Sequence, residues 1–149
     1  VHDMTASNIE RFDELTGEIF GKLYTCFPIP THLQSRHFIA GNIWNNPIPQ
    51  NPERVEAIKM FYATVRWLAS TGYLTYKETR DGIEEAVLTA KGLEVLKATP
   101  SSLDNGPSIG ERLATTGKEE GKELFRGLVG EALGLGARVL APLIGLPQT

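Results

Sequence analysis

The sequence predicts an α+β fold, mostly α, and three observations carry that expectation. Two long stretches repeat apolar residues at helical spacing, a short alternating hairpin follows the second, and a glycine-rich amphipathic stretch closes the chain. At 149 residues the chain has room for one domain and an appendage. Its hydrophobic content of 41% and charged content of 22% are ordinary for a globular protein.

The first element is "SNIERFDELTGEIFGKLYTCF". Ser7 or Asn8 caps it, and Glu10 stands three residues after Ser7, as in a capping box. Ile9, Phe12, Leu15, Ile19, Phe20, Leu23 and Phe27 form its core face, and Pro28 and Pro30 forbid its continuation. The next stretch, "PIPTHLQSRHFIAGNIWNNPIPQNP", reads as loop and turns, with a short helix expected around His32–Ile39.

Asn51, Pro52 and Glu53 suit the cap and first turn of a second long helix over residues 53–71. Val55, Ile58, Phe61, Tyr62, Val65, Leu68 and Ala69 mark its core side, and Gly72 ends it. "YLTYKE" and "IEEAVLT" alternate as strands around "TRDG", where Asp81-Gly82 signals a two-residue hairpin loop. "TAKGLEVLKA" is a short helix with Leu93 and Leu96 facing inward, stopped by Pro100.

Helix, hairpin and helix in "FYATVRWLASTGYLTYKETRDGIEEAVLTAKGLEVL" resemble the winged-helix superfamily, over roughly residues 8–99. "ASTGYLTY" and "LTAKGLEVL" look like phrases common in bacterial winged-helix proteins. The resemblance implies a helix-turn-helix whose recognition helix is 53–71 and whose wing is 73–88. The departure from the pattern is the proline-rich segment 28–52, where the first half of the helix-turn-helix belongs.

The expected organisation has four parts. Residues 1–7 are a flexible N-terminus in which Val1 to Asp3 read as an expression remnant. Residues 8–99 are the winged-helix-like domain, 100–108 a linker, and 109–149 an amphipathic C-terminal helix or tail. In the tail, Leu113, Gly117, Gly121, Leu124, Leu128, Ala132, Leu135, Val139, Leu143 and Leu146 make one stripe, and Pro142 kinks or ends the helix.

Charge excludes less than it permits. The net formal charge is −3, so no global positive field attracts nucleic acid. Residues 28–100, with eight basic and seven acidic side chains, are close to neutral. With no basic-then-apolar leader, secretion is not expected. The single cysteine, Cys26, lies in an apolar run and fits a buried thiol in a reducing cytoplasm better than a nucleophile. His32, Arg36 and His37 form a small cluster without a third metal ligand at suitable spacing. The sequence holds no nucleophile elbow, P-loop or dinucleotide fingerprint, so neither catalysis, a metal nor a cofactor is expected.

Two uses remain. A DNA reader needs long basic or amide side chains at base edges and cations at phosphates. Lys59 and Arg66 on the helix, with Lys77 and Arg80 on the wing, are the candidate DNA contacts, and Glu56, Glu78 and Asp81 oppose them. A dimeric double-stranded-DNA-binding transcriptional regulator is the alternative reading. The preferred one is a non-catalytic protein-interaction or assembly module, its contact residues Met60, Ala63 and Trp67 on the helix and Leu124, Leu128, Gly130, Gly134 and Leu135 on the tail. The bland alternative has Met60 and Trp67 packing under the first helix or the tail.

The tail helix is expected to dock on its own domain, on a second copy in a dimer or oligomer, or on a membrane through residues 124–146. Membrane insertion is disfavoured because Glu131 and Arg138 would each cost about 2.5–3.5 kcal/mol at the bilayer centre.

Overall fold

The computed structural model describes residues 7–38, 52–100, 106–116 and 121–143, the last five by their backbone alone. Within them the fold is α+β and mostly helical. Helix α1 spans Asn8–Cys26, strand β1 Thr31–Leu33, helix α2 Pro52–Ser70, β2 Leu74–Thr79, β3 Gly82–Leu88, α3 Ala90–Lys97, α4 Ile109–Thr115 and α5 Lys122–Leu143. The strands form one antiparallel sheet in the order β1-β3-β2. This layout is compatible with the winged-helix arrangement expected from the sequence.

Local chemistry sets the ends of these elements. The Ser7 hydroxyl accepts from the Glu10 amide at 3.1 Å while the Glu10 carboxylate accepts from the Ser7 amide at 3.0 Å, which closes the expected capping box. The same device starts α4, where Ser108 and Glu111 exchange bonds of 3.2 and 2.8 Å. Gly72, at φ +93, releases the chain from α2 into the sheet. Asn51, the expected cap of α2, lies outside the described residues.

The segment around His32–Ile39 differs from expectation. It is the strand β1 followed by a 3-10 turn at Ser35–His37, and Ile39 lies outside the described residues. Thr31 pairs with Ala86 and Leu33 with Ile83, so bonding to a sheet edge overrides a weak local helical tendency. The hairpin differs by one residue as well. Its two-residue loop is Arg80-Asp81, and Gly82, at φ +114, opens β3.

Ile83, Ala86 and Leu88 are all buried although their spacing breaks strict alternation. A bulge resolves the mismatch. Opposite β2, partners pass from Thr75↔Val87 to Lys77↔Glu84, and opposite β1 from Thr31↔Ala86 to Leu33↔Ile83. Both neighbours therefore step over one additional residue of β3. Glu85, at φ 55, takes up the displacement in the left-handed region.

The core joins Ile19, Phe20 and Leu23 of α1 to Phe61, Val65 and Leu68 of α2 and to the inner face of the sheet. The C-terminal stretch completes it from the other side. Two helices stand where one continuous helix was expected, since Thr116 leaves helical geometry at the end of α4 and α5 begins at Lys122. Phe125, Leu128, Val129 and Ala132 of α5 are buried. Gly17 of α1 receives the Phe125 ring and Val129, which a Cβ there would displace. Arg126 reaches Glu10 at 3.4 Å and Asp13 at 3.9 Å, and Lys122 reaches Glu14 at 3.9 Å. No helix among the described residues is long and apolar enough to cross a membrane.

Candidate protein-docking site

A groove runs between the first turns of α1 and the middle of α2. Its volume is about 370 Å³, and Ile9 and Phe12 from α1 face Met60, Ala63 and Trp67 from α2 across it. The Ser7 capping box fixes the first turn of α1, which sets Asn8 and Ile9 at the groove's margin. Phe12 meets Trp67 edge to face, with ring centroids 5.2 Å apart and planes at 89°. That arrangement suits the ring quadrupoles and holds the indole upright. Trp67 remains 45% exposed and Ile9 61% exposed.

Large apolar side chains thus stand exposed on two adjoining elements. Ile9 was expected in the core. It falls in the first helical turn, is 61% exposed, and becomes a groove wall opposite α2. Thr64, beside Ala63 on α2, is 2% exposed and lies at the groove's edge. Val55, expected in the core, is exposed near the start of α2.

The candidate DNA contacts present a different picture. Arg66 donates to both carboxylate oxygens of Glu78 on β2, at 3.2 and 2.7 Å. The Tyr76 hydroxyl donates to the same carboxylate at 3.3 Å. The guanidinium bonded to Glu78 holds that carboxyl below the usual carboxylate range, and Glu78 raises Arg66 in return. Lys59 pairs with Glu56 at 3.5 Å and Lys77 with Glu85 at 3.7 Å. Three of the four candidate cations are thus locally neutralised, and the fourth, Arg80, stands exposed at the hairpin tip. These are solvent-facing pairs that phosphate can compete for, yet each competition carries a cost a dedicated reader avoids.

The tail residues divide by helical phase. Leu128 is buried beneath the chain's own domain, which removes it from the expected contact surface. The stripe through Leu124 and Leu128 is cut because the inward face centres on Phe125, Leu128, Val129 and Ala132. Leu124 therefore points outward and is 56% exposed. Leu135 is half-buried against the core. Gly130 and Gly134, with Gly127, have nothing within 4 Å of where a Cβ would stand. They leave α5 with an open backbone face.

Ile9 and Phe12 were missed as groove residues. The signal was present: the apolar series of α1 begins directly at its N-cap, one turn earlier than its core partners require. No family model, curated protein or solved structure matches the chain.

Proposed function

We propose that the chain is a non-catalytic, winged-helix-like protein-interaction module whose docking surface is the α1–α2 groove. The observation supporting this reading is the apolar wall formed by Ile9, Phe12, Met60, Ala63 and Trp67 on the face where a DNA reader would need free cations. A partner segment presenting apolar side chains would fill the groove, with Trp67 as the principal anchor. The inner face of α5 holds the domain together, and its open glycine face is a second, smaller surface for assembly.

The experiment places a photoreactive residue at Ala63, identifies the cross-linked species by mass spectrometry, and repeats the capture with Trp67→Asp. One defined protein, lost in the Asp variant, is the expected result. A mobility shift on mixed duplex DNA accompanies it. Salt-steep retardation that Lys59→Ala and Arg66→Ala weaken would replace this reading with that of a DNA-binding regulator.

A further inference from the structure

A second concavity lies on the other side of the middle of α2, where Tyr62 projects between the 3-10 turn and the hairpin tip. Pairing of Leu33 with Ile83 carries His32 to the start of β3. A Cβ on Gly82 would stand 3.2 Å from the Tyr62 hydroxyl oxygen and 3.8 Å from His32 Nε2. A phenol from α2 and an imidazole from β1 thus converge over bare backbone. The space around them has a volume of about 250 Å³, and Arg36 of the 3-10 turn and Asp81 of the hairpin loop both line it.

Arg36 and Asp81 carry opposite charges on one concavity, yet they form no ion pair with each other or with any other described residue. Among the described residues the Tyr62 hydroxyl also has no hydrogen-bond partner. A simple anion entering here gains at Arg36 and is repelled at Asp81, and a simple cation meets the reverse. Only a ligand carrying both signs gains at both ends. Each exposed contact is weak alone, so selectivity comes from engaging the two together.

We propose that this concavity binds a small zwitterion of the amino-acid type, its carboxylate on Arg36 and the Tyr62 hydroxyl and its ammonium on Asp81. The inference is independent of what fills the α1–α2 groove.

The test is an NMR titration of the ¹⁵N-labelled full chain with glycine, L-alanine and L-leucine, beside propionate and ethylamine, which carry one charge each. At least one amino acid should shift the Gly82 and His32 amides saturably, at least about tenfold more tightly than either single-charge probe. Arg36→Gln and Asp81→Asn should each abolish saturation while the remaining spectrum reports an intact fold. Absence of saturable shifts with all three amino acids would overturn the proposal. So would propionate or ethylamine binding as tightly as the amino acids, or undiminished binding in either variant.

Discussion

The Tyr73 hydroxyl sits against Gly136, in the space a Cβ would need, and donates to the Leu133 carbonyl at 3.3 Å. One side chain at the entrance to β2 thus fixes the far half of α5 by shape and by hydrogen bond. Burial pushes the Tyr73 phenol above its usual range, consistent with a hydroxyl held neutral among apolar neighbours.

Gly136→Ala should therefore destabilise the fold by about 1–3 kcal/mol, because the buried ring has to move. Gly130→Ala should do the opposite. Its Cβ enters open space, and alanine's helical preference should add about 0.5–1 kcal/mol. Urea unfolding of the two variants checks the sign of each change.

Phe125→Ala should cost about 3–5 kcal/mol, since it empties the contact over Gly17. Leu124→Ala, one position away on the exposed face, should shift stability by no more than about 0.5 kcal/mol. Hydrogen exchange along α5 should lose protection in the first variant and keep it in the second.

Trp67→Ala should remove an edge-to-face pair worth about 0.5–1.5 kcal/mol to the fold. Its effect on partner capture should be far larger than that modest loss. If capture and stability fall in proportion, the indole serves the fold alone.

Acid should act on two carboxyls with opposite sign. Desolvation raises Asp13 above its usual 3.8, although Arg126 beside it pulls the other way. The folded state thus binds that proton more tightly than the unfolded chain, so this residue's contribution becomes more favourable as pH falls from above the raised value to below 3.8. Glu78 is lowered from 4.5 by Arg66, so its contribution is present above 4.5 and is lost as pH falls through the lowered value. In urea midpoints measured between about pH 3 and 7, Asp13→Asn should make acid loss of stability steeper, and Glu78→Gln should make it shallower.

Much of this was legible because it depends on local chemistry. The Ser7–Glu10 capping box, the stop at Gly72 and the two paired strands of the hairpin, though not the register of its loop, follow from short-range preferences that tertiary packing did not oppose. What escaped depends on contacts between distant segments. β1 exists because β3 offers an edge, and the bulge at Glu85 appears only when burial of Ile83 and Ala86 is compared. The groove was half legible: the outward stripe of α2 marked Met60 and Trp67, but its other wall belongs to a helix nearly fifty residues earlier. For α5, periodicity described an apolar arc without showing that Phe125 would find a notch at Gly17 and turn Leu124 outward.

The glycine notches of α1 bear on how this chain can be divided. Gly17 is shaped for Phe125, and Gly21 lies against the Leu113 backbone of α4. A fragment ending at residue 99 would leave both notches facing water. The proline at position 100 thus separates two segments whose buried side chains share one core. Grafting residues 8–99 into a chimera would transplant a core without the α4 and α5 side chains that complete it.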